Sequence, residues 1–79
     1  MTALHWAAYN GKEAIVNQLL HSNADIKAVT NDGRTALHYA ACYGKEAIVD
    51  QLLHSNADIK AVDNNDGWTA LHYTARSGK

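Results

Sequence analysis

The chain has 79 residues, eight acidic against seven basic side chains, a formal charge of −1 and 47% hydrophobic residues. This length allows one domain with little core to spare, and the near-neutral balance excludes the clustered Lys and Arg of a nucleic-acid surface. No run approaches 18 apolar residues and no signal-peptide pattern opens the chain, so nothing in the sequence targets or spans a membrane. Cys42 is the sole cysteine. No intrachain disulfide can form, and the expectation is a reduced, intracellular, cytoplasmic chain.

From the N-terminus, "TALHWAAYNG" begins at Thr2, "TALHYAACYG" at Thr35 and "TALHYTARSG" at Thr69. The spacing is 33 and then 34 residues, a period that marks a stacked repeat protein. Residues 2–29 and 35–62 agree at 24 of 28 positions, differing only at Trp6/Tyr39, Tyr9/Cys42, Asn10/Tyr43 and Asn17/Asp50. Two such similar segments must fold alike.

Each copy predicts two short helices. Thr35 is a good N-cap for the first, because its hydroxyl accepts an orphan backbone N–H. Leu37, Ala40 and Ala41 follow at i, i+3 and i+4 and share a thin apolar face. Gly44 provides the left-handed position that ends the helix. The second helix is predicted over about Lys45 to His54, with Ile48–Leu52 and Val49–Leu53 as i, i+4 pairs on its buried side and Lys45, Asp50 and Gln51 toward solvent. Asn56 substitutes for glycine at the left-handed terminator. "ADIKAV" then reads as extended and "NNDG" as a turn.

These letters resemble the ankyrin repeat over essentially the whole chain. The family pattern D-x-x-G-x-T-P-L-H-x-A-A-x-x-G stands here as Asp32, Gly33, Thr35, Ala36, Leu37, His38, Ala40, Ala41 and Gly44, followed by Ile48, Val49, Leu52, Leu53 and Ala57-Asp58-Ile59-Lys60-Ala61. Departures are Ala3, Ala36 and Ala70 for the family's proline, Gln18 and Gln51 for a leucine, Asn23 and Asn56 for glycine, and Lys27 and Lys60 for asparagine. The loop after Val62 is also one residue longer than that after Val29. The resemblance implies an all-α repeat solenoid of helix-turn-helix pairs joined by β-hairpin or loop fingers. It divides the chain into an incomplete repeat at 1–34, a full repeat at 35–68 and the first helix of a truncated third at 69–79. Neither end carries a polar cap, so the expectation is a piece of a longer array or a chain that stacks end to end on copies of itself.

Histidines invite a metal site, but His5, His38 and His72 are equivalent and lie about 8–10 Å apart by helix-packing distances. Zinc ligands must converge to about 2 Å from one ion. The resemblance instead gives these residues, with Thr2, Thr35, Thr69, Gly11, Gly44 and Gly78, a structural role, each His bonding the motif Thr and the neighbouring repeat. His21 and His54 close the second helices, where an imidazole suits the negative dipole end. Cys42 has no sequence-placed base to activate it, Asp25 and Asp58 bond the following turn, and no cofactor, metal, small-molecule substrate or enzymatic activity is expected.

Ankyrin repeats are known chiefly for gripping other proteins along a concave face of first helices and finger tips. Carried over by position, the candidates are Tyr9, Asn10, Cys42, Tyr43, Arg76 and Ser77 from first helices, and Asn31, Asp32, Arg34, Asn65, Asp66 and Trp68 from fingers. Two of the four differences between the copies fall on this strip, and Tyr, Trp and Arg are hot-spot residue types. Trp68 and Tyr43 are the strongest candidates, while Trp6, Tyr39 and Tyr73 are expected to be partly buried between repeats. The expected partner is thus another protein, not nucleic acid or membrane; the alternative is a structural spacer whose repeats contact only one another.

Overall fold

The computed structural model describes residues 2–64 together with Gly67, Thr69, Ala70 and His72. Four helices follow one another: α1 (Ala3–Asn10), α2 (Glu13–His21), α3 (Ala36–Cys42) and α4 (Glu46–His54). They form two helix pairs, α1 with α2 and α3 with α4. The pairs lie side by side, so that α1 packs on α3 and α2 on α4.

Local chemistry sets each boundary. Thr2 and Thr35 cap α1 and α3 with extended backbones, and each hydroxyl accepts the amide three residues on. Gly11 (φ 71°) and Gly44 (φ 66°) then turn the chain left-handed. That conformation lets Lys12 N–H reach the Ala7 carbonyl at 3.0 Å and Lys45 N–H the Ala40 carbonyl at 2.8 Å, satisfying groups a helix end leaves orphaned. Asn23 (φ 63°) and Asn56 (φ 70°) do the same after α2 and α4. Asparagine tolerates this region better than other non-glycine residues, so the substitution for glycine is accommodated.

The core is thin and alanine-rich: Leu4, Ala7, Ala8, Leu37, Ala40 and Ala41 from the first helices, Val16, Ile48 and Leu52 from the second, with Ala36 and Ala70. Small side chains let α1 and α3 approach closely, and the larger aliphatics fill the space between α2 and α4.

Two expectations are corrected. Val49 and Leu53 part company: Val49 is half-buried and packs against the core, whereas Leu53 is 37% exposed. A helical period marks which residues share a face, but burial requires a neighbour on it, and among the described residues the Ile48–Leu52 side of α4 is the more fully covered. Gln51 and Lys45, read as solvent-facing, are half-buried because both lie at the contact between pairs. Gln51 Nε2 donates to the Glu13 carbonyl at 3.3 Å, and the Lys45 chain lies over Gly11.

The finger at 30–34 is a turn closed by Thr30 N–H to the Arg34 carbonyl at 3.0 Å and Gly33 N–H to the Thr30 carbonyl at 2.9 Å. No strand occurs among the described residues, so the fingers are loops here, not paired strands. Asp25 and Asp58 each accept the amide two residues on, at 3.0 and 2.9 Å, which folds the segment after each helix pair.

Candidate partner-binding surface

The strip proposed from the sequence rests on a rigid spine of Thr–His caps. His5 Nδ1 accepts both the Thr2 amide at 3.1 Å and the Thr2 hydroxyl at 2.8 Å. An N–H donor to Nδ1 requires a lone pair there, so the proton sits on Nε2, which donates to the Arg34 carbonyl at 3.0 Å. The imidazole is buried between α1 and the following finger. Burial pushes its pKa below the ordinary 6.5, against the opposing pull of the Arg34 and Ala28 carbonyls. Thr35 with His38 repeats the cap at 2.9 Å for both contacts, and Thr69 with His72 at 3.0 and 2.9 Å.

On this spine stands a row of rings. Tyr9 is at its centre, in edge-to-face contact with Tyr43 (centroids 4.7 Å, interplanar 90°), Trp6 (6.0 Å, 80°) and Tyr39 (6.3 Å, 88°). Tyr39 also meets His5 edge-on at 5.8 Å. Edge-to-face pairs at these distances are favourable through their quadrupoles, so the rings hold one another in place while remaining accessible. Tyr9, Tyr43 and Trp6 are 39%, 50% and 53% exposed, whereas Tyr39 is half-buried. Burial and the neighbouring Cys42, Tyr9 and Tyr39 hold the Tyr43 phenol above its ordinary pKa of 10.0. Tyr43 therefore meets a partner as a neutral phenol, able both to donate and to accept.

Trp6 corrects an expectation. The pattern predicts partial burial between repeats for Trp6 and Tyr39 alike, yet Trp6 is 53% exposed, because among the described residues the helices packed on α1 are α2 and α3, which leave its ring largely open. Its carbonyl accepts Asn10 Nδ2 at 3.0 Å, which orients the amide of another candidate.

The remaining candidates divide. Asn31 and Asp32 are exposed at the tip of the first finger, and Arg34 and Cys42 are half-buried beside Tyr43. Arg34, Tyr39, Cys42 and Tyr43 line one narrow crevice. Asn65, Asp66, Trp68, Tyr73, Arg76, Ser77 and Gly78 lie outside the described residues, so the surface rests on Tyr9, Tyr43 and Trp6.

Asp63 was not singled out from the sequence. Its carboxylate is buried, 3.9 Å from Arg34 Nε, and joins the second finger to the first. Beside it, Asn64 N–H donates to the Asp32 carbonyl at 2.7 Å. The longer loop after Val62 was the available signal, but length alone did not say which residue turns inward.

His21 and His54 are exposed at the ends of α2 and α4, and each Nδ1–H donates to the carbonyl four residues back, at 2.8 and 2.7 Å. With Asp50 they border an open groove of about 450 Å³. Among the described residues no group of three or more His, Cys, Asp or Glu side chains is placed to hold a metal ion, and no helix is long and apolar enough to cross a membrane.

Stacked helix pairs, left-handed terminators and repeated Thr–His caps, the first of which bonds the next unit, define a helical repeat protein. Its particular kind follows from the match of residues 4–79 to ankyrin repeats, in three copies. The chain belongs to the ankyrin repeat family, whose members are in general protein–protein interaction modules and typically non-catalytic. No curated protein matches the chain.

Proposed function

We propose that the chain is a protein-recognition module that grips a partner along its first helices and finger tips, with Tyr9, Tyr43 and Trp6 as the central contact. The observation carrying this reading is the exposed edge-to-face cluster centred on Tyr9. Aromatic rings already ordered by one another lose little side-chain freedom on binding, and Tyr and Trp dominate interface hot spots. Asn10, Asn31, Asp32, Arg34 and Cys42 form the polar surround, with Asn65, Asp66, Trp68, Arg76 and Ser77 as its continuation along the chain.

A second reading is favoured by the 24 identities in 28 aligned positions. Recognition usually diversifies repeats, so copies this similar also suit a spacer in a longer solenoid. Affinity capture from lysate separates the two when the chain is compared with a Tyr9→Ala/Tyr43→Ala variant whose helicity is verified by circular dichroism. The recognition reading expects a protein retained by the first and lost by the second. Identical captures would leave the spacer.

A further inference from the structure

The groove between α2 and α4 presents hydrogen-bond acceptors. His21 and His54 each donate Nδ1–H to the carbonyl four residues back, that of Asn17 at 2.8 Å and that of Asp50 at 2.7 Å. A carbonyl only accepts, so Nδ1 carries the proton, and in the neutral ring Nε2 is left as a lone pair. Gln51 lines the same groove. Its Nε2 goes to the Glu13 carbonyl, while its Oε1 is buried with no hydrogen-bond partner among the described residues. A buried acceptor in that state is costly until a donor reaches it. Asp50 adds a carboxylate, and no Lys or Arg is among the described lining residues.

That carboxylate is itself a departure from the repeat. Of the four differences between residues 2–29 and 35–62, three belong to the first helices and their ends, and the fourth is Asn17/Asp50. The one change elsewhere puts a negative charge in this groove.

We propose that the groove binds an arginine side chain of a partner protein, its guanidinium held by Asp50 and by the Nε2 lone pairs of His21 and His54. The charge selects a cation, and the spread of the acceptors selects which one. His21 and His54 are equivalent residues of adjacent units, about 8–10 Å apart by helix-packing distances. That is too far for one zinc ion, whose ligands sit at about 2 Å. It also fails an ammonium, which gathers its acceptors around one point. Two hydrogen bonds of about 2.9 Å with a guanidinium fork between them span roughly 8 Å, and the fork brings five donors. Leu20, packed on the core, offers an apolar wall to the arginine stem. The groove, at about 450 Å³, is larger than one guanidinium and leaves room for the backbone that carries it. This surface is separate from the Tyr9 cluster, so the two readings stand or fall independently.

Amide chemical shifts of the isotope-labelled chain, titrated with the peptide acetyl-Gly-Gly-Arg-Gly-Gly-amide, test it. Saturable shifts should centre on Asn17, His21, Asp50, Gln51 and His54, with a dissociation constant on the order of 1 mM. Replacing the arginine by citrulline, which keeps the shape and removes the charge, should weaken binding about ten-fold. Lysine in its place, or free arginine, should also bind more weakly. Asp50→Asn copies the first unit and so keeps the fold; it should weaken the arginine peptide about three- to ten-fold. Asn17→Asp copies the second unit and should strengthen it. Absence of shifts at these residues up to about 10 mM peptide overturns the proposal, as does undiminished binding by citrulline, by lysine or by the Asp50→Asn variant. Shifts confined to Tyr9 and Tyr43 would overturn it and leave the recognition strip intact. Free arginine binding as tightly as the peptide would overturn the assignment to a protein partner.

Discussion

The Nε2 proton of His5 is given to the carbonyl of Arg34, 3.0 Å away and 29 residues later in the chain. This bond ties the opening of α1 to the finger that precedes α3, and it requires a neutral imidazole, because Nδ1 is occupied by the Thr2 amide and hydroxyl. A proton added at Nδ1 would face the Thr2 N–H.

Stability should therefore depend on pH with a definite sign. The folded His5 pKa lies below the ordinary 6.5, so the unfolded chain takes up the proton first as pH falls. Its contribution is intact above about 6.5 and is lost as pH falls from there through the folded value. Urea unfolding at pH 7.5 and pH 5 should show the chain less stable at the lower pH, and His5→Gln should reduce that difference.

The caps at Thr2 and Thr35 are alike in geometry and unlike in surroundings. Thr35 is buried and Thr2 is exposed. Removing the hydroxyl at Thr35 also leaves a buried imidazole lone pair with one donor fewer, so Thr35→Ala should cost about 1–2 kcal/mol. Thr2→Ala should cost less, and denaturant midpoints of the two variants decide the order.

Ile15 and Ile48 hold the same place in their helices and differ in burial. Ile48→Ala opens a cavity beneath α4 and should cost about 2–5 kcal/mol. Ile15→Ala should cost under about 1 kcal/mol, since Ile15 is 46% exposed and its truncation opens no enclosed cavity. Denaturant midpoints of the two variants decide it, and equal losses would overturn this ranking.

Gly33 and Gly67 both have positive φ, 77° and 66°. A Cβ on Gly33 would sit 2.6 Å from Asn64 Oδ1, whereas one on Gly67 meets nothing within 4 Å. Gly67→Ala should cost only the left-handed strain, about 1–2 kcal/mol. Gly33→Ala should cost more, because it also separates the first finger from Asn64, and thermal unfolding of both variants gives the comparison.

Much of this was legible beforehand because it is local. Thr before an apolar i, i+3, i+4 pattern, and Gly or Asn after it, fix helix ends through groups a few residues apart. What a residue meets across the stack is not written in its own repeat. Leu20 and Leu53, or Trp6 and Tyr39, hold the same place in the period and differ only in which neighbours reach them, so the period could not rank their exposure. Asp63 shows the same limit, since its place in a longer loop was visible and its reach toward Arg34 was not. The aromatic cluster fell between these cases. Tyr9 and Tyr43 were named individually, but their contact depends on the offset between α1 and α3.

The bond from His5 to Arg34, the bond from Gln51 to Glu13 and the apolar junction beside them all join one unit to the next one along. Each unit thus carries both halves of the fastening. Duplicating the underlying coding segment in frame would insert a unit whose two sides already match its new neighbours. A lineage built this way can lengthen or shorten without inventing a contact, and its reach becomes a heritable trait separate from its chemistry.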